Sequence, residues 1–403
     1  MSMDSMKVIA LGGCGGMGRY AVKTALGYDF VKEIVIADLD EKRGLAFAET
    51  CGPKTSFLKI DVNNRSALEQ LFSDADVVMT TVGPYYRFGV PILKAAIDTG
   101  CHYIDINDDW EPTLEMLDLK TRAEKAGITA IIGLGASPGQ SNMLAAKALS
   151  LLDTADELIT GWGVGGDSDI GKEDASEDGP GGAGSYGAAI EHWVHQITGT
   201  IRLFQDGKYA DVKPMQEVHI DYPGIGKGIA YTVGHPEPLT LPLFRPDIVH
   251  SCNVMVISPK MIDMLRALAK EVDDGQMTVS EAAQLIMAPV PKEAKQQTNT
   301  DKKKEKGPRL PSLFAYARGL KDEKEKTVGV TVRAGVSGGM GGATGVPMGI
   351  GLKLLHSGNI LRHGVFAPEM VIDPDDFFDE LAPLCTIPSP MVSAKEMLHI
   401  TSS

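Results

Sequence analysis

The stretch KVIALGGCGGMGRYAV (7–22) places five glycines between an apolar run and a helical pattern. A glycine inside an ordinary helix or strand costs about 0.5–1 kcal/mol relative to alanine, because it loses more backbone entropy on folding. Such a run therefore indicates a backbone that turns tightly or lies close to another group. Gly13, Gly15 and Gly18 have the spacing G-x-G-x-x-G, which is typical of a loop that receives phosphates at the start of a helix.

Up to about residue 135, short apolar runs alternate with helical patterns. The runs predict six strands that are buried on both faces, at 8–11, 33–37, 56–60, 77–82, 102–106 and 129–132. The segments between them predict helices at 19–26, 66–72, 90–99 and 113–126. This alternation predicts an α/β fold with a doubly wound parallel sheet, a dinucleotide-binding Rossmann domain over 1–138.

The positions of polar residues at the predicted strand ends indicate which of them contact the dinucleotide. Asp38 ends the second strand, where a carboxylate binds the adenosine ribose and repels the 2′-phosphate of NADP, so NAD is predicted over NADP. Arg43 lies nearby and can offset that repulsion. Cys14 is expected to contribute its backbone more than its sulfur. The predicted cofactor-binding residues are Gly13, Cys14, Gly15, Gly16, Met17, Gly18, Asp38, Leu39, Arg43, Asp61, Val62, Thr81, Val82, Gly83 and Pro84.

Beyond residue 139 the pattern changes. Asp206-Gly207 is a hairpin signal, and MIDMLRALAKEV and TVSEAAQLIM are amphipathic helices. The acidic, glycine-rich run at 165–185 and the lysine-rich run at 291–308 are predicted to be exposed loops. A second glycine cluster, SGGMGGATGVP (337–347), has Thr344 where a third glycine is needed, so it predicts a loop where the chain leaves the second domain.

Composition excludes several classes of protein. A chain of 403 residues is too long for one compact core and indicates two domains. The net charge of −14 argues against nucleic acid and anionic membranes as partners. Five scattered cysteines without a CxxC pair fit reduced thiols in the cytoplasm and no zinc site. The N-terminal residues lack the features of a signal peptide, so a cytoplasmic location is expected.

Several segments resemble the saccharopine dehydrogenase family, which includes lysine 6-dehydrogenase and carboxynorspermidine synthase. The segments that carry the resemblance are VGPYYRFGVPILKAAIDTGCHYIDIND, GLGASPGQSNMLAAKAL, DYPGIGKGIAYTVGHPEPLTLP and GVFAPE. The resemblance implies an inserted α/β domain at 139–350, whose mixed or antiparallel sheet builds a dimer interface. It also implies a C-terminal segment, 351–403, that returns to the Rossmann domain, and NAD(P)-linked chemistry at the carbon–nitrogen bond of an amino acid.

Oxidation of an amine develops positive charge, which nearby carboxylates can stabilise or relieve as an acid or base. The segment DINDDWEP follows the fifth strand, at the carboxyl edge where such sheets bind ligands. It supplies Asp105, Asp108, Asp109 and Glu111. Capping of the next helix is the alternative role for Asp108 and Asp109. The predicted catalytic residues are Asp105, Asp109, His235 and Glu237, the last two in GHPEP.

Recognition of a substrate carboxylate needs a cation, for which arginine is best suited. Arg87 is the first candidate and Arg245 the second; a surface position is the alternative for both. Tyr85 is predicted beside the substrate and Tyr86 to pack or stack there. His192 and His195 lie one helical turn apart, but no third ligand accompanies them, so no metal site is predicted.

These observations predict an NAD(P)-dependent dehydrogenase that acts on the CH–NH or CH–NH₂ group of an amino acid or opine-like amine. A cytoplasmic homodimer with a small-molecule substrate is expected. Two alternatives stay open: reductive condensation of an aldehyde with a diamine, as in carboxynorspermidine synthesis, and a non-catalytic relative that binds a dinucleotide.

Overall fold

The computed structural model describes residues 5–163, 187–288, 309–360 and 362–403. The strands are β1 Met6–Leu11, β2 Val31–Asp38, β3 Thr55–Lys59, β4 Val77–Thr80, β5 His102–Asp105, β6 Thr129–Ile131, β7 Thr154–Gly163, β8 Ile201–Gln205, β9 Lys208–Val212, β10 Glu217–Tyr222, β11 Gly226–Thr232, β12 His250–Val256, β13 Leu313–Lys321, β14 Lys324–Val332, β15 Gly364–Phe366 and β16 Leu398–Ser402. The loops predicted at 165–185 and 291–308 lie outside the described residues.

The helices are α1 Gly18–Leu26, α2 Glu41–Cys51, α3 Arg65–Phe72, α4 Tyr85–Thr99, α5 Trp110–Leu117, α6 Lys120–Ala126, α7 Gln140–Leu149, α8 Gly187–Gln196, α9 Glu237–Phe244, α10 Pro259–Asp273, α11 Val279–Met287, α12 Gly339–His356, α13 Pro374–Leu381 and α14 Ala394–Met397. In the part of the chain that the structure describes, no helix is both long and apolar enough to cross a bilayer.

The first sheet has seven strands in the order β15-β6-β5-β4-β1-β2-β3. Its neighbouring strands run parallel. Apolar side chains of β1 and β2 are buried on both faces, which explains why the sequence reads as continuous apolar runs. The strand order reverses between β1 and β4, and parallel sheets bind their ligands in the crevice at such a point. The predicted Rossmann fold is confirmed.

Three details of the predicted helices are wrong. Helix α4 begins at Tyr85 and not at residue 90. The sequence analysis missed α2, whose Gly44 interrupts the apolar pattern because an added Cβ would lie 2.0 Å from the Phe57 ring. Asp40 starts this helix by accepting a hydrogen bond from the Arg43 amide at 3.0 Å. The helix predicted at 113–126 is two helices, α5 and α6. The Leu119 amide donates to the Met116 carbonyl, a tightened turn that ends the first helix.

The second sheet is mixed, as predicted, with nine strands. Seven follow the order β10-β11-β12-β7-β13-β14-β16; β8 also pairs with β12, and β9 pairs with β8. Only the β12–β7 pair is parallel among the described neighbours. Helix α7 packs on β13, β7 and β14. The predicted hairpin at Asp206-Gly207 is present, with both residues in the left-handed region at φ 52° and 73°.

The C-terminal segment contributes strands to both sheets. Strand β15 adds to the first sheet beside β6, whereas β16 adds to the second sheet beside β14. The predicted boundary at residue 350 falls inside α12. The loop predicted at 337–347 is wrong as well, because this cluster starts α12, an 18-residue helix that packs against α1.

Candidate functional site

The glycine loop between β1 and α1 is shaped by three close approaches. Gly12 takes the left-handed turn, with φ +75°. A Cβ added at Gly13 would lie 2.7 Å from the Ala10 carbonyl oxygen, and one added at Gly18 would lie 2.4 Å from the Gly12 oxygen. At Gly15 the added atom meets only the Gly12 oxygen, at 3.1 Å. The outer side of Gly15 is therefore open to a ligand.

The start of α1 offers free hydrogen-bond donors. Within the described residues, the amides of Gly16, Met17 and Gly18 donate to no acceptor. Two cations lie close by: Arg19 Nε donates to the Cys14 carbonyl at 2.8 Å, and Arg43 donates to the same oxygen at 3.5 Å. Unpaired amides at a helix start, with arginines beside them, suit a diphosphate.

Asp38 lies half-buried at the end of β2. Its Oδ2 accepts a hydrogen bond from the Cys14 thiol at 2.9 Å, and its Oδ1 accepts one from the Asp40 amide at 3.2 Å. Burial and the Asp38 carboxylate raise the pKa of Cys14 to about 12, so the sulfur remains a donor at neutral pH. Cys14 was expected to contribute its backbone more than its sulfur, but the thiol also takes part through this bond to Asp38. Leu39 beside it is 64% exposed, an apolar surface next to the predicted ribose position.

The loops after β3 and β4 border the same crevice. The Thr81 hydroxyl donates to the Gly12 carbonyl at 3.0 Å and joins the β1 and β4 loops. Val82 packs at the edge of the core, and nothing lies within 4 Å of a Cβ added at Gly83. Pro84 precedes α4. The predicted cofactor residues of β1, β2 and β4 are thus brought together around an open space.

Asp61 and Val62 follow β3, next to the end of β2. The Asn63 amide and side chain donate to one Asp61 oxygen at 2.9 and 2.8 Å, and these bonds lower the pKa of that carboxyl. Val62 packs against the core of the first sheet. This position fits the predicted contact with adenine, which stays a prediction.

Asp105 has a structural role instead of the predicted catalytic one. It is fully buried and accepts hydrogen bonds from the Tyr103 hydroxyl at 2.7 Å, the Asn107 amide at 2.9 Å and the Gly133 amide at 2.7 Å. Burial, partly offset by these bonds, raises the pKa of Asp105 to about 6. The carboxyl group joins the ends of β5 and β6. Tyr85 is corrected in the same way: it is buried, and its hydroxyl donates to the Thr80 carbonyl at 3.0 Å.

Asp108 and Asp109 bind the two nitrogens of one histidine. His192 Nε2 lies 2.9 Å from Asp108 Oδ2, and His192 Nδ1 lies 2.8 Å from Asp109 Oδ1. Burial opposes a charge on the ring, but the two carboxylates outweigh it and raise the pKa of His192 to about 10. Asp109 occupies the N-cap position of α5 without capping it; its second oxygen accepts the Tyr86 amide at 2.9 Å. The capping alternative is therefore wrong for Asp109.

His235 and Glu237 form a buried pair in the second domain. His235 Nδ1 lies 3.2 Å from Glu237 Oε2, and the imidazole packs on Trp162 with ring centroids 5.7 Å apart. The other Glu237 oxygen accepts hydrogen bonds from Ser137 at 2.5 Å, Ser141 at 2.7 Å and Asn253 at 2.9 Å. Although burial raises the pKa of Glu237, His235 and the hydroxyl donors outweigh it and lower that pKa.

Functional candidates that sequence reasoning missed continue this network. Asn142 Nδ2 donates to Glu369 Oε2 at 2.8 Å, and burial raises the pKa of Glu369 to about 7. Ser137, Ser141 and Asn142 come from GLGASPGQSN, and Glu369 comes from GVFAPE. Both segments carry the family resemblance, and this was the sequence feature that could have pointed to these four residues.

The contacts of His192 with Asp108 and Asp109 lie beside the network around His235 and Glu237. Gln196, one helical turn after His192, donates its side chain to the Asp108 carbonyl at 3.3 Å. The backbone carbonyl of Gln196 accepts a hydrogen bond from the amide of Gly234, the neighbour of His235, at 3.0 Å. The His235–Glu237 pair is therefore placed beside the loops that follow β5 and β6, at the carboxyl edge of the first sheet.

The arginine predictions have different outcomes. Arg245 binds the end of α7: its guanidinium donates to the carbonyls of Leu149, Leu152 and Asp153 at 2.7–3.3 Å and to the Asp247 carboxylate at 2.7 Å. These contacts use the guanidinium as a helix C-cap, which corrects its predicted substrate role. Arg87 is exposed over the Phe88 ring, and its predicted role in substrate binding stays a prediction.

His195 is exposed and packs on Tyr86, with ring centroids 5.0 Å apart. Because His192 is committed to two carboxylates, the two histidines do not point to a shared ion. Among the residues with described positions, no group of His, Cys, Asp and Glu has the arrangement of a metal site. Glu111 lies exposed in the first turn of α5.

Comparison with known proteins shows what the domain that forms this crevice resembles. Residues 8–131 match the profile of the saccharopine dehydrogenase NADP binding domain. A human saccharopine dehydrogenase-like oxidoreductase is 35% identical over 89 residues, 22% of this chain and 20% of the relative. A trans-acting enoyl reductase of Mycobacterium leprae is 26% identical over 166 residues, 39% of this chain and 40% of the relative. The matches thus span well under half of these curated relatives.

Apo saccharopine dehydrogenase (L-Glu forming) from Saccharomyces cerevisiae has a similar structure. It aligns over 99% of this chain and 100% of its own, with a TM-score of 0.64 and 17% identity, which supports a shared fold. The domain profile is of the NADP-binding type, which favours NADP over the predicted NAD. The predicted resemblance is confirmed: residues 8–131 match the model of the saccharopine dehydrogenase NADP binding domain, and the chain shares the fold of saccharopine dehydrogenase.

Proposed function

We propose that this chain is an NAD(P)-dependent oxidoreductase whose substrate binds between the glycine-loop crevice and the His235–Glu237 pair. The observation that carries the proposal is this buried pair, which adjoins the loops after β5 and β6. Parallel sheets of this order receive the nicotinamide at that edge. The coenzyme would supply the hydride chemistry, while the protein orients the substrate and handles a proton.

His235 is the proposed proton carrier. The Glu237 carboxylate favours a hydrogen on Nδ1, so Nε2 is the nitrogen available to a substrate. Three further donors orient Glu237 and support its ionised form. A carboxylate that fixes the tautomer of a histidine is a recurrent arrangement in acid–base catalysis.

For the substrate, we propose the carbon–nitrogen bond of an amino acid or opine-like amine. The family resemblance supports it, and the buried Glu237 carboxylate would stabilise an iminium-like charge on the substrate. Arg87 is the proposed contact for a substrate carboxylate. Arg245, the other arginine candidate, is bound to the carbonyls at the end of α7.

A second candidate is reduction of a carbon–carbon double bond. The Mycobacterium leprae relative, 26% identical over 166 residues, is a trans-acting enoyl reductase. Such a reduction needs a hydride, which the reduced coenzyme would supply, and a proton, which His235 would donate. It does not need a cation for a substrate carboxylate.

Two groups of residues support opposite coenzymes. Asp38 supports NAD, because its carboxylate repels a 2′-phosphate. Arg19 and Arg43 beside the Cys14 carbonyl support NADP, as does the type of the matched domain. Calorimetric titration with NADH and NADPH separates the two.

The test of the proposed function is an absorbance screen for reduced nicotinamide. Its panel holds lysine, saccharopine, diaminopimelate, other amino acids, an aldehyde with a diamine, and an enoyl thioester. Turnover that His235→Gln abolishes, while coenzyme affinity is retained, would support the proposal. Binding of coenzyme without turnover of any compound would favour the non-catalytic alternative. The homodimer stays a prediction, which sedimentation equilibrium can test.

A further inference from the structure

His192 joins the two halves of the molecule through ionic contacts with the buried Asp109 and the partly exposed Asp108. It lies on α8, which packs against α11 in the second domain. Its two ring nitrogens lie 2.9 and 2.8 Å from Asp108 and Asp109, which follow β5 of the first sheet. Only a protonated imidazole has two donors, so both bonds are made together only by the charged ring. Its partners leave it 8% exposed.

The contact continues towards the coenzyme crevice. Asp109 uses its other oxygen to accept the Tyr86 amide at 2.9 Å. Tyr86 is the second residue of α4 and follows Gly83 and Pro84, which are predicted to flank the nicotinamide ribose. The Asp109 carboxylate thus connects α8 to the backbone of residues 83–86, which we call the nicotinamide-side loop.

The same helix reaches the proposed proton carrier. Gln196 lies one turn after His192 and donates to the Asp108 carbonyl at 3.3 Å. The backbone carbonyl of Gln196 accepts a hydrogen bond from the amide of Gly234, the neighbour of His235. The charged contact at His192 and the position of His235 are therefore parts of one connected arrangement.

We infer that His192 is a positioning residue that, through Asp109 and Gln196, holds the nicotinamide-side loop against the His235–Glu237 pair. The inference rests on the proposed function. His192 acts through these neighbours, not through the reacting atoms. Glutamine at this position would offer one amide donor, and its oxygen would face a carboxylate. Buried ionic contacts that lose one partner are strongly disfavoured, so the loop would no longer be fixed.

The test compares two ligands that share the adenosine half. Under the proposed function ADP-ribose would contact the glycine loop and Asp38, whereas the reduced dinucleotide would also reach the nicotinamide-side loop. In His192→Gln we expect dinucleotide affinity to fall about tenfold, which is roughly 1.4 kcal/mol, with ADP-ribose affinity within about twofold of wild type. His219→Gln is the matched control, because His219 is exposed on β10. Equal affinities of His192→Gln and wild type for both ligands, or equal losses for both, would overturn the inference.

A second measurement needs no coenzyme. Hydrogen exchange at the Tyr86 amide should be faster in His192→Gln, while β1 amides exchange as in wild type. Unchanged exchange at Tyr86 overturns the inference even where wild type binds and turns over a dinucleotide. If wild type binds no dinucleotide, the proposed function fails, whatever the exchange shows. Should His192→Gln not fold, Asp108→Ala removes one of the two contacts of His192, and a loss of dinucleotide affinity larger than the loss of ADP-ribose affinity is again the expected result.

Discussion

Two glycine-rich regions of this protein have similar composition and opposite uses. In the loop at 12–18, a Cβ added at Gly15 meets only the Gly12 carbonyl, at 3.1 Å, and the space beyond is open. In α12, a Cβ added at Gly345 would lie 2.2 Å from the Met17 carbonyl, and one at Gly349 would lie 2.6 Å from Thr24. The first region leaves room for a ligand, and the second is filled by α1.

The role of a glycine in these regions depends on which atoms face the position that its side chain would occupy. Both regions follow a strand and precede or begin a helix. They also meet, because Gly345 packs against Met17 at the start of α1, the helix whose first amides are free for phosphate. The packing glycines thus support the position of the ligand-binding ones.

The largest expected effect is on folding, at α12. Gly345→Val would place methyl groups on the Met17 carbonyl, where the backbone cannot give way. Overpacking of this kind costs about 3 kcal/mol of unfolding free energy, which urea denaturation would measure. Gly27→Val is the control, since Gly27 lies exposed at the end of α1 with φ −71°. Equal losses in both variants would remove the distinction between the two regions.

At Gly15, we expect the effect to fall on binding and hardly on folding. Gly15→Ala adds a methyl group at the predicted path of the diphosphate, so affinity for the reduced dinucleotide should fall at least about tenfold, or roughly 1.4 kcal/mol. The thermal midpoint without ligand should remain close to wild type. Calorimetry and thermal unfolding measure both. A large loss of stability with unchanged affinity would place Gly15 with the packing glycines.

Removal of the Asp38 carboxylate should change which coenzyme the loop prefers. In Asp38→Ala the ribose loses an acceptor, so NADH affinity should fall about fivefold, which is close to 1 kcal/mol. NADPH affinity should hold or improve, because the repulsion of the 2′-phosphate disappears. Titration of both coenzymes tests this. Unchanged NADH affinity would contradict the ribose assignment.

The smallest effect concerns pH at Cys14. Burial and Asp38 raise the pKa of this thiol to about 12, so coenzyme affinity should not change through its ionisation between pH 7 and 9. An unfolded cysteine ionises near pH 8.5. The unfolded state then holds fewer protons than the folded one, and the contribution of Cys14 to stability should fall as pH rises above about 8.5. Thiol alkylation rates across this range provide the check.

Much of the first domain could be predicted because each of its features has a local cause. Strands β1 to β6 are apolar runs, and the glycine loop with Asp38 has a fixed spacing. His235 and Glu237 are two residues apart, so the sequence already places them together. The role of Asp105 could not be predicted. Alternation along β5 did not show that the Tyr103 hydroxyl and the Gly133 amide occupy its oxygens.

The same limit applies to pairs that are distant in sequence. Ser141 and Glu237 are 96 residues apart, and Asn142 and Glu369 are 227 apart. No periodicity reports such contacts, nor that Arg245 would be used at the end of α7.

By itself, the sequence determined the parallel sheet, the glycine loop and the acidic end of β2, because these depend on neighbours within a few residues. Only the tertiary structure decided which glycines face a helix and which face open space, and which carboxylates remain available. The reason is physical: burial and pairing are set by atoms from distant segments, and these govern both packing energy and charge.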